Sequence, residues 1–362
     1  KGRYTSKMSD AEHTAEDSAD TLTPMMMVDP ENREWTDRAM GIAELMRDDW
    51  TGINEKGFLQ FKSAYFTVDA IDLSAPRACA TLYEFRTLQP VLLNWQRTRS
   101  EDLDRLLIAW LDGWLDASLD SSRGKPGGII PSAFRWPSGV PGGVPDEWWN
   151  PRILEKDPLY FWPSASAMPM ATQTFLLGWY QTGDEKYLTP LRSMADARRA
   201  WLANPVDDPE PGSLLWCGKN MTGLSEALSK YRLLTGSTEF EDLLGNDSNG
   251  YLEMLTTGES DRLELELRNH AETLKNFGPG FSSEVRVTDR TMRFPALFTR
   301  DGSLYGAALA GIFEPDTGLV FSSLTGEPGD GMYFPLNGVR WLTPPEDFAA
   351  LVRENSRGRL SA

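Results

Sequence analysis

The histidines are the first residues that suggest chemistry, because the chain of 362 residues contains only two of them. His13 lies in the acidic segment 10–17, three residues before Glu16 and therefore on the same face of a predicted helix. A histidine oriented by a carboxylate can act as a general acid or base. The alternative is a surface or helix-capping histidine. His270 lies in a charged helical pattern, and we expect it to be solvated.

Polar residues in the long segments between predicted helices form a second group of candidates. They are Tyr65, Arg135, Asn220 and Tyr305. Each also has a structural explanation, such as a core ring for Tyr65 or a helix cap for Asn220. The pair His13 and Glu16 is too small for a metal site, and we expect no metal and no other cofactor.

The segment 120–164 is rich in Gly, Pro and aromatic residues, which suits a platform that stacks on sugar rings. The alternative is that these rings pack the segment onto the helices, and we expect some of each. With Trp216 and two nearby lysines, the candidate substrate-binding residues are Lys62, Trp136, Trp148, Trp149, Tyr160, Trp162, Trp216 and Lys219.

The elements that must position these residues are mainly helical. Apolar residues recur at spacings of three and four before and after the turn at 182–188, and a similar turn follows at 235–240. Four helical hairpins are predicted, near 14–50, 81–119, 165–203 and 219–245, and a further helix is predicted at 258–275. The segment 276–342 alternates like β-strands in places.

Short turns alternate with long connections between hairpins, at 51–80, 120–164 and 204–218. This alternation favours an incomplete α/α toroid whose long loops line a cleft at one end, with His13 at that end. The predicted domains are a catalytic toroid at 1–275 and a smaller β-rich segment at 276–362. Because the chain begins at Lys1 without Met, we expect a truncated N-terminus and draw nothing from the lack of a signal peptide.

Composition narrows the function. The chain has 36 Lys and Arg against 53 Asp and Glu, a net charge of −17, which argues against nucleic acid or an anionic membrane as partner. No apolar run is long enough for a transmembrane helix. Two cysteines, Cys79 and Cys217, exclude a disulfide scaffold, and whether they pair is left open.

The hairpins with T-G-D-E-K-Y-L-type turns and the Trp-rich loops resemble the α/α-toroid carbohydrate-active enzymes, particularly polysaccharide lyases that act on glucuronan or alginate. The resemblance covers roughly residues 10–275. It implies β-elimination on a uronate polysaccharide, in which Asn and Arg neutralise the carboxylate and Tyr or His transfers the proton. His13, Tyr65, Asn220, Arg135 and Tyr305 are the residues this resemblance would use, with Glu16 supporting His13. It also implies a secreted or periplasmic protein.

Two other functions stay open. A toroid glycoside hydrolase would need two carboxylates flanking the scissile bond, and the candidates are Glu16, Asp49, Asp146 and Glu226. A toroid that binds carbohydrate without catalysis would keep the rings and lack an acid–base pair.

Overall fold

The computed structural model describes residues 8–16, 19, 22–23, 26, 32–143, 147–153, 160–164, 167–221, 223–247 and 261. The chain divides into two compact units, Lys1–Leu224 and Ser225–Ala362. Helices dominate the described residues, which confirms the prediction of a mainly α protein. The predicted β-rich segment 276–362 and nearly all of the predicted helix 258–275 lie outside the described residues.

Helices are the main elements among the described residues of the first unit. They are α1 (Ala11–Glu16), α2 (Arg33–Leu45), α3 (Glu84–Thr87), α4 (Gln89–Thr98), α5 (Glu101–Leu119), α6 (Met168–Thr182), α7 (Thr189–Ala203) and α8 (Leu214–Lys219). A π-helical turn, Met46–Trp50, continues α2, and short 3₁₀ helices occur at Ser122–Gly124, Trp162–Ser164 and Glu185–Leu188.

Short strands connect these helices in antiparallel pairs. They are β1 (Ser9–Asp10), β2 (Thr51–Ile53), β3 (Leu59–Phe61), β4 (Tyr65–Phe66), β5 (Cys79–Thr81) and β6 (Ala133–Arg135). The pairs are β1 with β4, β2 with β3, and β5 with β6. Strands of two or three residues are too short to show the alternating pattern that identifies a strand, so the sequence indicated only a long connection at 51–80.

The turn predicted at 182–188 is confirmed. Gly183 ends α6 in the left-handed conformation with φ of 72°, and the Asp184 side chain accepts from the Lys186 amide at 3.0 Å. Arg99 ends α4 in the same conformation, with φ of 47°, and Ser100 is the N-cap position of α5. The helix α8 was not predicted, since six residues carry little periodic signal.

The core of the first unit is built around α5, whose buried apolar stripe includes Leu107, Trp110 and Trp114. Trp110 and Trp114 pack against Phe85 with ring centroids 4.7 and 5.0 Å apart. Below them, the buried carboxyl group of Glu84 accepts from both indole N–H groups at 3.2 Å and from the Thr81 amide at 2.8 Å. These bonds satisfy a polar group that would otherwise destabilise the core.

The second unit contributes α9 (Ser225–Thr235) and α10 (Glu241–Asp247) to the described residues. Gly236 follows α9 with φ of 71°, and the rings of Tyr231 and Phe240 pack edge to face with centroids 5.6 Å apart. This helical hairpin, at 225–247, overlaps the predicted one at 219–245. Among the described helices, none has both the length and the apolar character that crossing a bilayer requires.

Candidate functional site

The candidate site forms where β1 passes into α1, and Asp10 is its central residue. Asp10 is buried, and one of its carboxylate oxygens accepts from the amides of Glu12 and His13, both at 3.2 Å. The Thr14 hydroxyl donates to the Asp10 carbonyl at 2.6 Å. Asp10 therefore caps α1, as its short carboxylate side chain favours, and this cap fixes the position of the residues that follow.

His13 is placed by the same aspartate. Its Nδ1 lies 2.8 Å from Asp10 Oδ2 and 3.3 Å from Glu12 Oε2, while about half of its side chain is exposed. When Nδ1–H donates to a carboxylate, the neutral ring has Nε2 as its basic nitrogen. This is the arrangement of a general base with an orienting carboxylate that we expected for His13, with Asp10 as that carboxylate. The side chain of Glu16, the residue expected in this role, lies outside the described residues.

The second carboxylate at the start of α1 is neutralised from α3. Arg86 Nη1 lies 2.5 Å from Glu12 Oε1, and both side chains are buried. The Thr87 hydroxyl donates to the Ala11 carbonyl at 3.2 Å, which joins the two helices next to this ion pair. A buried charge needs such a partner, so Arg86 allows Glu12 to remain close to His13 as a carboxylate.

Tyr65 lies directly opposite Asp10 in the pairing of β4 with β1. The Ala11 amide donates to the Ala64 carbonyl at 2.8 Å, which extends this pairing into α1. Burial raises the pKa of the Tyr65 hydroxyl above its ordinary value, and the negative charge of Asp10 raises it further. Tyr65 is therefore a protonated hydroxyl at neutral pH, placed beside the group that holds His13.

A cation covers the ring of Tyr65. The guanidinium carbon of Arg77 lies 4.0 Å from the ring centroid, and Arg77 Nη1 is 2.5 Å from Asp72 Oδ2. The Ser63 hydroxyl donates to the carbonyls of Asp72 and Arg77 and thereby fixes the loop that carries both. The Arg77 side chain remains 39% exposed, so its guanidinium, although paired with Asp72, keeps accessible surface next to Tyr65.

Tyr160 reaches Asp10 from a distant part of the chain. Its hydroxyl donates to Asp10 Oδ1 at 3.0 Å, and its ring packs edge to face on Tyr83 with centroids 5.1 Å apart. Burial, followed by the charge of Asp10, raises the pKa of Tyr160 well above its ordinary value. We expected Tyr160 to contact a sugar, but at 3% exposure it is a buried partner of Asp10.

Three more of the expected sugar-stacking rings are buried: Trp148, Trp162 and Trp216. The ring of Trp162 lies 5.9 Å from that of Trp148 and 5.6 Å from that of Trp216. A buried ring offers no face to a polymer, so these residues have the packing role that the sequence left open. Trp149 is half-buried and packs against the same cluster, with centroids 6.0 Å apart from Trp148.

Trp136 and Lys62, two other expected binding residues, meet above Gly52 in β2. A Cβ atom at Gly52 would lie 2.8 Å from Cη2 of Trp136 and 3.4 Å from Cδ of Lys62. Both side chains are half-buried and keep accessible surface. The structure therefore brings these two residues together, next to the segment that leads into β4.

The remaining candidates have local partners. The Asn220 side chain donates to the Trp216 carbonyl at 2.9 Å and so caps the end of α8, while Lys219 donates to the Asp207 carbonyl. Arg135 Nε donates to the Gly143 carbonyl at 3.1 Å. Among the described residues, no hydrogen bond or ion pair joins Asn220 to His13 or Tyr65. Residues Tyr305, Asp146 and the side chains of Glu16 and Glu226 lie outside the described part of the chain.

Asp10, Glu12 and His13 are also the residues that come nearest to a metal-binding set. Their ligand atoms lie within 4.8 Å of one another. Each of these residues, however, has a protein partner in the structure: Tyr160 on Asp10, Arg86 on Glu12, and Asp10 on His13. These contacts place the three side chains within the protein's own hydrogen-bond and ion-pair network.

Four residues of this site were not identified from the sequence: Asp10, Glu12, Arg77 and Arg86. Asp10 carried a signal, since an aspartate immediately before a helix is a capping residue and its side chain meets the third residue of the first turn. Arg77 and Arg86 carried none, because only the fold brings them to Tyr65 and Glu12. No known family model, curated protein or solved structure matches the chain.

Proposed function

We propose that the chain is a polysaccharide lyase that cleaves a uronic-acid-containing polymer by β-elimination, with His13, Asp10 and Tyr65 as its acid–base group. The observation that carries the proposal is the contact of His13 Nδ1 with the buried Asp10 at 2.8 Å, with Tyr65 opposite Asp10. The resemblance described above supplies the substrate class. We also assign the helical hairpins to an α/α toroid and the protein to a secreted or periplasmic location.

The first chemical step is removal of the proton at C5 of the uronate. His13 is the base, since the hydrogen bond from Nδ1 to Asp10 leaves Nε2 as the basic nitrogen. Asp10 stabilises the imidazolium that forms when Nε2 takes the proton. The exposure of about half of the His13 side chain allows a polymer to approach it.

Arg77 neutralises the carboxylate of the uronate, the role that the resemblance gave to Arg135 and Asn220. Its guanidinium pairs with Asp72 through one nitrogen, but it lies on the ring of Tyr65 and is partly exposed, whereas Arg135 and Asn220 bind backbone carbonyls. Negative charge develops on the carboxylate as the C5 proton leaves, so a fixed cation stabilises the transition state more than the ground state.

Tyr65 completes the elimination as the general acid, a role for which the 8% of its surface that is exposed must include the hydroxyl group. The electron pair from the C5–H bond forms the C4–C5 double bond, the bond from C4 to the glycosidic oxygen breaks, and that oxygen takes the Tyr65 proton. The raised pKa of Tyr65 keeps this proton in place at neutral pH. The positive charge of Arg77 stabilises the phenolate that forms.

The test is a time course of ultraviolet absorbance from the unsaturated uronide, with a panel of uronate polysaccharides and reducing ends measured in parallel. We expect absorbance and reducing ends to rise together in the natural protein. His13→Ala and Tyr65→Phe should each lower kcat at least about 100-fold, since a positioned acid or base contributes about 10²–10⁴.

Tyr180→Phe is the matched control, because Tyr180 is a half-buried tyrosine at the end of α6, and its ring lies 5.7 Å from the Arg99 guanidinium. New reducing ends without absorbance would mean hydrolysis and would replace this proposal with the glycosidase alternative. Binding of a polysaccharide with neither signal would support the non-catalytic alternative.

A further inference from the structure

Trp136 is held in a fixed position on the hairpin formed by β2 and β3. Its amide donates to the Ala78 carbonyl at 3.0 Å, and the next residue, Pro137, accepts from the Glu55 amide at 2.8 Å. The edge of the indole lies on the bare backbone of Gly52, where a Cβ atom would be 2.8 Å from Cη2. A ring fixed in this way loses little entropy when it binds a ligand.

Lys62 brings a positive charge to the same place. The position that a Cβ at Gly52 would take lies 3.4 Å from Cδ of Lys62, so the aliphatic part of Lys62 and the indole edge of Trp136 lie on the same glycine. Within the described residues, Lys62 forms no ion pair, whereas Lys56 in the same hairpin is paired with Asp116 and Asp120.

Two backbone connections relate Lys62 and Trp136 to the acid–base group. Lys62 and Tyr65 are three residues apart, which limits their Cα separation to about 11 Å. The Trp136 amide donates to the carbonyl of Ala78, the residue that follows Arg77. This hydrogen bond extends the pairing of β5 with β6 by one residue. Lys62 is thus close to Tyr65 along the backbone, and Trp136 is hydrogen-bonded to the residue that follows Arg77, so neighbouring sugars of one polymer can reach both places.

We propose that Lys62 and Trp136 form a subsite that binds a second carboxylated sugar next to the one that Arg77 holds. The ammonium group pairs with the carboxylate, and the ring covers the apolar C–H face of the sugar. This inference rests on the proposed function and narrows its substrate class to polymers in which uronates follow one another directly. A chain in which neutral sugars separate the uronates would leave Lys62 without an anion.

The first experiment compares kinetics on a uronate homopolymer and on a polymer of alternating uronate and neutral sugars. Lys62→Met keeps the aliphatic contact with Trp136 and removes the charge. We expect it to raise KM roughly three- to tenfold on the homopolymer and to leave KM on the alternating polymer unchanged. Trp136→Ala should raise KM on both, and Lys56→Met should change either value less than about twofold.

The second experiment measures binding without turnover. Fluorescence titration of the His13→Ala variant with the homopolymer should show binding. Adding Lys62→Met to this variant should weaken that binding by the same factor by which Lys62→Met raises KM. If the natural protein yields no unsaturated product but this loss of binding is seen, the lyase proposal fails and the subsite stands. The subsite would be overturned if Lys62→Met left both KM and binding equal to those of the natural protein. It would also be overturned if Lys62→Met raised KM equally on both polymers.

Discussion

Asp10 is the residue on which the site depends, because one side chain serves three purposes. It caps α1, holds Nδ1 of His13 at 2.8 Å and accepts from Tyr160 at 3.0 Å. Tyr65 faces it across the strand pair. The sequence named His13 and Tyr65 as candidates for one site and gave the orienting role to Glu16, whose side chain lies outside the described residues. Asp10 was not foreseen in this role, since helix spacing alone cannot show that a side chain turns back to cap its own helix.

In the proposed mechanism, the pKa of Tyr65 sets the alkaline limit of turnover. Burial and Asp10 raise it above the ordinary value of 10.0. A general acid must be protonated, so activity is present below this pKa and is lost as the pH rises through it. We therefore expect the alkaline limb of kcat/KM to lie above pH 10. A limb between pH 6 and 9 would assign the acid role to another group.

Tyr160→Phe tests whether Tyr160 positions the dyad of Asp10 and His13. The variant keeps the ring that packs on Tyr83 and removes the hydrogen bond to Asp10. A hydrogen bond to a charged group contributes about 1.5–3 kcal/mol. We expect kcat to fall about tenfold or more with KM nearly unchanged, measured by steady-state kinetics over a range of pH.

The control for that variant is Tyr187→Phe. Tyr187 also donates to a carboxylate, Asp112, at 2.8 Å, and that pair lies apart from the site residues. Both variants should lose similar stability in urea, but only Tyr160→Phe should lose turnover. A similar fall of kcat in both would reduce Tyr160 to a structural role.

At the scale of elements, the sequence predicted helices well and strands poorly. The turns at Gly183 and Arg99 combine a left-handed residue with a capping position, so their signal is local. The pairing of β1 with β4 joins residues more than fifty positions apart in two-residue strands, and no local pattern records such a contact. The site is built on that pairing, which is why its residues were found in part and its geometry was not.

Glu84 makes the stability of the helical core depend on pH. Burial raises its pKa from 4.5 to about 8, so the folded protein holds a proton that the unfolded chain releases. Its contribution to stability is full below pH 4.5 and is lost as the pH rises through 8. Each pH unit in this window lowers the free energy of unfolding by up to about 1.4 kcal/mol.

Urea unfolding of Glu84→Gln at pH 5 and pH 8 measures this effect. The glutamine side chain does not titrate. The variant should therefore lose the part of the difference in free energy of unfolding between pH 5 and pH 8 that Glu84 causes. The variant should also be less stable than the natural protein at pH 5. The glutamine side chain has one acceptor oxygen and cannot accept from both indole N–H groups and from the Thr81 backbone N–H together. Glu55→Gln, at an exposed position, should keep the natural difference.

At the scale of the whole molecule, the net charge of −17 opposes an anionic polymer, while Arg77 and Lys62 attract it locally. The screening length falls from about 30 Å at 0.01 M salt to about 10 Å at 0.1 M, so added salt weakens the distant repulsion before the close contacts. We expect kcat/KM on a long uronate polymer to rise over this range and to fall at higher salt. A short uronate oligomer, which meets less of the protein's charge, should show a smaller rise. A steady fall from the lowest salt would mean that the local cations dominate.

The hydrogen bond from Tyr160 to Asp10 joins residues 150 positions apart, and it also bears on how the protein comes to be active. Helices such as α5 and α6 form from neighbouring residues and need no distant partner, whereas contacts across long stretches of chain form slowly. We therefore expect the site to be assembled late in folding, when most of the helical structure is already present. A chain that has regained its helices would still be inactive until its first residues dock, so helical content alone is no measure of an active preparation.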